Sequence, residues 1–241
     1  MVRPNKLGLV YISPQRVWTQ EELDVFYKLF DSILFLNLEN KLTLDDVRWL
    51  QEREFPKEKK VYFSVPADDK TDKFIRKNFT PDGFYYCHEA LFTTLTPWKR
   101  FEEIRNLSTY YRAYGYEFIW IPCSFKKIYA PLAKLSIELL RPYFCTIYLQ
   151  PNYYQKRYKR SHDNYLRTVN HCQKYGLGIE FEFDQNVFFG DKEMREKFRK
   201  RFIHQYHQMR KFKDVAFYCG YKELIALKRD HHDLYSLLIE I

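Results

Sequence analysis

"KLGLVYISPQRVW", residues 6 to 18, passes from an apolar strand into a turn, "ISPQRVW", that contains no glycine. An open, doubly wound sheet normally carries a glycine-rich phosphate-binding turn after its first strand, because only a backbone without Cβ lets a pyrophosphate approach. Its absence favours the other arrangement of alternating strands and helices, a closed ring. Outward from this point the same pair of elements recurs. The segments "SILFLNLE" (32–39), "KVYFSVPA" (60–67), "GFYYCHE" (83–89), "YEFIWIPC" (116–123), "CTIYLQPN" (145–152), "LGIEFEFD" (177–184) and "VAFYCGY" (215–221) bring the strands to eight, with amphipathic helices between them. Helix ends are marked. Thr19 with Glu22 makes a capping box, Thr43 with Asp46 resembles one, and Thr96–Pro97 supplies a cap with proline at the first helical position. Gly115 and Gly176 each follow a Tyr at a helix end, where glycine takes the left-handed conformation without strain. Strict alternation implies parallel strands with right-handed crossovers, and eight units of about 30 residues have the size of a closed barrel. The expected fold is α/β, a single (β/α)8 TIM barrel over residues 1–241.

Composition agrees with a large folded core. Apolar residues make up 46% and aromatics 19%, with 7 Gly and 10 Pro and no low-complexity tract, which excludes a disordered chain. The formal charge of +9 admits nucleic acid or an anionic substrate as partner and selects neither. Cys87, Cys123, Cys145, Cys172 and Cys219 are odd in number, widely spaced and free of any C-x-x-C, so they are expected to be reduced thiols rather than a disulfide framework or zinc ribbon. The opening "MVRPNKLGLVYIS" lacks the apolar run of a secretion signal, and no stretch approaches the roughly 18 residues of a membrane span. A soluble, cytoplasmic protein without membrane contact is expected.

"LGIEFEFD" carries the functional signal. In an extended chain Glu180, Glu182 and Asp184 share one face and Ile179, Phe181 and Phe183 the other. In a barrel the apolar set packs on the helices, so the three acids should point inward. The same parity test gives Asn37 and Glu39 on the second strand, Ser64 on the third, Tyr85 and Glu89 on the fourth, Trp120 on the fifth, Tyr148, Gln150 and Asn152 on the sixth, and Tyr218 on the eighth. Acids, amides and aromatic rings gathered at the C-terminal end of a barrel suit a carbohydrate, whose faces stack on rings and whose hydroxyls bond to acids and amides.

Glycoside hydrolysis needs two carboxyl groups flanking the scissile bond. Glu89, ending the fourth strand, is the expected general acid/base, its pKa raised by burial and by Glu182. Glu182, near the end of the seventh, is the expected nucleophile or base. That placement is similar to a large clan of barrel glycosidases, although Glu89 follows His88 where the clan has an Asn-Glu pair. Asn152, Gln150 and Tyr218 would orient substrate. Glu180, one layer deeper, would be structural or orienting, and Asp184 at the rim is a substitute for either catalytic position. No cofactor or metal is expected: His204 and His207 lie three apart on a helix without a third ligand at suitable spacing. The alternatives are a metal-dependent enzyme with Glu180, Glu182 and Asp184 as oxygen ligands to Mg²⁺ or Ca²⁺, and a non-catalytic barrel binding glycan or, as a weaker candidate, nucleic acid. For the latter, "NYYQKRYKR" (152–160) would form a basic, aromatic rim. "KFRKRF" (197–202) is read instead as the wet face of a helix whose Phe198, Phe202, Tyr206 and Met209 face the core, and His88, of opposite parity to Glu89, as a structural histidine.

At "PDGFYYCHE", "FIWIPC", "YLQPNYY" and "GLGIEFEFD" the chain resembles a domain-of-unknown-function family of bacterial and archaeal proteins, "forty-eight fifty-five", whose pattern runs GFYW-x-x-E, WIPY, LQPNY and Glu-x-Glu-Phe-Asp over roughly residues 81 to 190 here. The resemblance implies a glycosidase-like barrel and supplies no established reaction. By it, the matching positions are Glu89, Trp120, Gln150, Asn152, Tyr153, Glu180, Glu182 and Asp184. Tyr86 stands where the family has Trp, and Cys123 where it has Tyr.

Overall fold

The structure, a computed structural model, describes residues 3–37, 41–88, 97–122, 135, 137–151, 153, 161–183 and 192–241. Eight parallel strands close into a barrel in sequence order. They are β1 (Asn5–Tyr11), β2 (Ser32–Leu36), β3 (Lys60–Ser64), β4 (Gly83–Tyr86), β5 (Glu117–Trp120), β6 (Thr146–Leu149), β7 (Gly178–Glu182) and β8 (Asp214–Tyr218). Closure is direct: β1 pairs with β2 on one side (Leu7 beside Ser32) and with β8 on the other (Leu7 beside Ala216). Around the ring stand α1 (Gln20–Leu29), α2 (Leu44–Val47, continued as a 3-10 turn, Arg48–Glu52), α3 (Asp69–Phe79), α4 (Pro97–Ala113), α5 (Ser161–Tyr175), α6 (Lys192–Met209), α7 (Tyr221–Asp230) and α8 (His232–Glu240).

Local chemistry sets the boundaries. The Glu22 N–H donates to Thr19 Oγ1 (3.2 Å) while the Thr19 N–H donates to Glu22 Oε2 (3.0 Å). Thr43 and Asp46 repeat the box at α2, with the Thr43 N–H on Asp46 Oδ2 at 2.8 Å. Both satisfy amides that the first helical turn would otherwise leave orphaned. Gly115 (φ +82°) and Gly176 (φ +61°) take the left-handed turn that ends α4 and α5. The cap expected from Thr96 lies outside the described residues. All eight expected strands are present.

Side chains divide between two layers. The interior is filled by Leu7, Leu9, Leu34, Leu36, Tyr62, Tyr85, Cys87, Ile119, Ile121, Tyr148 and Ala216. The opposite parity, including Val10, Phe35, Phe63, Phe84, Phe118, Phe181 and Phe217, packs against the helices.

Two parity expectations are overturned. Trp120 faces outward: its ring stacks on Phe144 (centroids 5.3 Å, 20° between planes) and its Nε1–H donates to the His88 carbonyl at 2.8 Å, so it belongs to the helix layer. The inward residues of β5 are Ile119 and Ile121. Asn37 likewise lies on the outward parity of β2 and donates from Nδ2 to Asp46 Oδ1 (3.4 Å), whereas Leu34 and Leu36 point in. Glu39, two positions further on and expected inward by the same parity, lies outside the described residues. The physical reason is common to both strands. A parallel barrel strand is buried on both faces, so a run such as "SILFL" or "EFIW" has no polar alternation to reveal its inward side.

Lys6 is an unusual tenant of the outer layer. It is buried, and its Nζ donates to the Leu238 carbonyl near the end of α8 at 3.3 Å. Burial lowers its pKa to about 8, with Arg3 acting in the same direction and Asp31 against it. A lysine whose folded pKa lies below its unfolded value near 10.4 leaves the unfolded chain holding more protons between those two values, so stability rises as pH climbs through that window. Lys6→Met should therefore gain stability over the parent at neutral pH, and the gain should shrink as pH rises from about 8 to about 10.5. Thermal melts of both proteins across that range check this. A difference independent of pH would refute it.

Candidate functional site

The C-terminal ends of the strands bring one inward residue each to the mouth of the barrel: Tyr11, Leu36, Ser64, Cys87, Ile121, Gln150, Glu182 and Tyr218. The ring is two-sided. From β2 to β5 it is small or apolar, and from β6 through β8 to β1 it is an amide, a carboxylate and two phenols. Tyr11 and Tyr218 meet edge to face, with centroids 5.7 Å apart. Trp18 Nε1–H donates to the Tyr11 carbonyl at 2.7 Å and fixes the end of β1. The Gln150 N–H donates to the Pro122 carbonyl (3.0 Å) and its Nε2 to the Ile121 carbonyl (3.1 Å), extending the β5–β6 pairing one step beyond the strands.

Glu182 is the best-positioned acid. The residue is 7% exposed, and it sits beside Tyr218 in the β7–β8 register. The Tyr153 N–H donates to its Oε2. From behind, Gln205 on α6, fully buried, accepts from the Glu182 N–H (3.2 Å) and donates to the Glu182 carbonyl (3.1 Å). The amide thus continues the sheet on the β6 side of β7, where the ladder ends at Leu149 beside Ile179, while the other side is still paired through the Phe183 N–H and the Tyr218 carbonyl (3.1 Å). Arg201, one turn earlier on α6, donates to the Tyr153 carbonyl at 2.6 Å and lies over the Tyr153 ring at 4.9 Å. Carboxylate, Tyr153 and α6 form one connected unit, which gives Glu182 a single orientation. Glu180, 2% exposed and beside Ala216, lies one layer deeper, as its position in the strand requires.

Not every expected residue reaches the mouth. Tyr85 faces the interior and is nearly inaccessible. Tyr148 also faces inward but in the N-terminal half. Burial drives its pKa far up, and the acids that add to this are Asp214 and Glu117, which open β8 and β5. Tyr153 departs from the expectation of a substrate-binding side chain. Its ring is in the helix layer, stacked on Tyr165 (4.3 Å), and its hydroxyl is 3.0 Å from His162 Nδ1, so it is the backbone of Tyr153 that serves the site. Tyr153 shares the parity of Ile147 and Leu149, which also lie in the helix layer, and its expected role rests on the family resemblance rather than on parity. Glu89, Asn152 and Asp184, together with Glu39 and most of "NYYQKRYKR", lie outside the described residues.

The outer end of β4 is anchored by charge. Tyr86 Oη donates to Glu103 Oε2 (3.0 Å), Arg100 Nη1 donates to the same oxygen (3.1 Å), and Lys41 Nζ lies 3.1 Å from Glu103 Oε1. Burial works to raise the Glu103 pKa, but hydrogen bonds from Lys41 and Tyr86 hold it below the ordinary carboxylate range. His88 lies edge-on to Tyr86 (5.3 Å), and burial, then the Arg100 charge, lowers its pKa. Facing inward, the Cys87 thiol is pushed up to about 11, mainly by burial. Among the described residues no group of three or more His, Cys, Asp or Glu side chains could hold a metal ion, and no helix is long and apolar enough to cross a membrane.

Sequence reasoning missed Gln205 and Arg201. A cue existed for the first: Phe198, Phe202, Gln205 and Met209 repeat at spacings of four, three and four, so Gln205 is a lone amide on an apolar helical stripe. Such a group must meet a buried polar partner.

A closed (β/α)8 barrel with a buried, oriented carboxylate at its C-terminal mouth is the class that this fold and site define. The family model described as "Domain of unknown function (DUF4855)" matches residues 62–238, and the chain belongs to that family. No curated protein matches it. Among solved structures it is similar to a family 18 chitinase from Crocus vernus, at 12% identity over 97% of this chain and 99% of that one, with a TM-score of 0.50. It is also similar to the GH18 chitinase ChiB from the chitin utilization locus of Flavobacterium johnsoniae, at 8% identity over 96% and 95% of the two chains, TM-score 0.51. At these identities the likeness is one of fold.

Replacing Gln205 by Leu should expose the cost of its two bonds. It leaves the N–H and carbonyl of Glu182 buried without this partner, and the unfolding free energy should fall by about 1–3 kcal/mol. Urea denaturation measures it. A loss below about 0.5 kcal/mol, the scale of ordinary surface changes, would mean that the clamp does not hold β7.

Proposed function

We propose that the mouth of the barrel binds a carbohydrate and that the protein is a glycoside hydrolase-like enzyme. The observation that carries this reading is the buried Glu182 carboxylate, held to one orientation by the Tyr153 N–H and the α6 clamp and placed beside a tyrosine in a barrel mouth. A nucleophile or base must be held in a near-attack geometry, and fastening its backbone to a helix achieves that without blocking the mouth. The two-sided ring supports the same reading. Amide, carboxylate and phenol groups suit hydroxyls, and the tyrosine rings suit the faces of a sugar. Both similar barrels described above are named as chitinases, which adds weight to a carbohydrate ligand.

In this reading Glu182 acts as nucleophile or base, and Glu89, two positions after the inward-facing Cys87 in sequence, acts as general acid/base. Gln150, Asn152, Tyr218 and Asp184 orient the substrate, and Glu180 supports Glu182 from the layer below. The test is a panel of glycans and chromogenic glycosides assayed with the parent, Glu182→Gln and Glu89→Gln. For any substrate cleaved, each variant should lose at least about 10³-fold in kcat/KM, the loss of a group that acts only in the transition state. Hydrolysis that survives both substitutions would end the assignment.

A further inference from the structure

We propose that the opposite, N-terminal end of the barrel carries a second binding site, for a small organic anion. A cleft of about 420 Å³ opens there between the starts of β6, β7 and β8. It exists because the sheet is notched. β6 pairs with β5 from Thr146 onward (Thr146 beside Ile119), but its ladder to β7 begins only at Tyr148 beside Gly178. Leu177, which would continue that ladder downward, instead donates its N–H to the Cys172 carbonyl at 2.9 Å as the chain leaves α5. The notch is floored by Phe144, Ile147 and Leu177.

Its rim is cationic. Arg141, Lys211 and Lys213 line the cleft against one carboxylate, Asp214, whose Oδ1 accepts from Asn5 Nδ2 at 3.3 Å. Lys211 Nζ donates to Gln208 Oε1 at 3.0 Å. Among the described residues, Arg141 and Lys213 have no carboxylate oxygen within 4.0 Å. A simpler account is that these cations offset the negative C-terminal ends of α5 and α6, which also arrive at this corner. That account extends to Arg141, whose Nη2 comes within 3.9 Å of where a Cβ on Gly176 would stand, just past the end of α5, but it leaves the apolar floor unexplained. Three cations above an apolar floor suit a ligand with one phosphate, sulfonate or carboxylate head and a ring-sized apolar body. The volume lies within the range of about 300–1,000 Å³ typical of small-molecule sites.

The probe is 8-anilinonaphthalene-1-sulfonate, titrated by fluorescence into the full chain. Binding should saturate at one site and weaken by at least about tenfold in Arg141→Gln/Lys213→Gln, a change of about 1.4 kcal/mol. Lys70→Gln/Lys77→Gln, which removes two exposed charges on α3, should leave it unchanged, as should Glu182→Gln at the mouth. A second readout needs no variant. Cys145 lines the cleft and is exposed, whereas Cys87, Cys172 and Cys219 are buried, so bound probe should slow alkylation of Cys145 by iodoacetamide, read by mass spectrometry. Absence of saturable binding, affinity indifferent to Arg141 and Lys213, or a Cys145 that reacts equally fast with and without probe would each overturn the proposal. Should the double variant fail to fold, the Cys145 measurement on the parent chain decides alone.

Discussion

Everything in this protein depends on β1 being hydrogen-bonded on both edges, to β2 and to β8. Once the ring closes, no strand edge is left exposed, and each strand has an inside and an outside that both need filling. The inside is narrow, so its lower layers hold Leu7, Leu9, Leu34, Tyr62, Ile119 and Ala216 and exclude water. Polar groups are tolerated inside chiefly where the barrel opens, at the C-terminal mouth. The mouth is thus a consequence of closure before it is a consequence of function.

Within that frame β7 departs from its neighbours. It places Glu180 and Glu182 on the inward parity, where β6 carries Tyr148 and Gln150 and β8 carries Ala216 and Tyr218, and a buried carboxylate is costly unless donors meet it. The Tyr153 N–H supplies one donor, and Gln205 locks the backbone on which the carboxylate stands. Desolvation of this kind is retained where it gives an acid a fixed direction.

Among the described residues, the polar side of the mouth and the notch at the base differ in charge. From β6 through β8 to β1 the mouth carries an amide, a carboxylate and two phenols. At the base, Arg141, Lys211 and Lys213 surround a notch in the β6–β7 ladder. Helix direction contributes to the contrast, because in a parallel barrel the helix N-termini surround the mouth and the C-termini the base. Cations favour the latter.

The alternation of strands and helices, and with it the closed barrel, was determined by the sequence alone, because hydrophobic period, capping boxes and left-handed glycines are local signals that read the same in any context. So was the inward direction of Glu180 and Glu182, since β7 alternates polar with apolar residues. Tertiary structure decided the facing of Trp120 and Asn37, which lie on strands apolar on both sides, where period carries no information. It also decided that Tyr153 serves the site through its backbone, and that Gln205 from a helix 23 residues further on would clamp Glu182. Those contacts join elements far apart in the chain, and only the closing of the ring brings them to hydrogen-bonding distance.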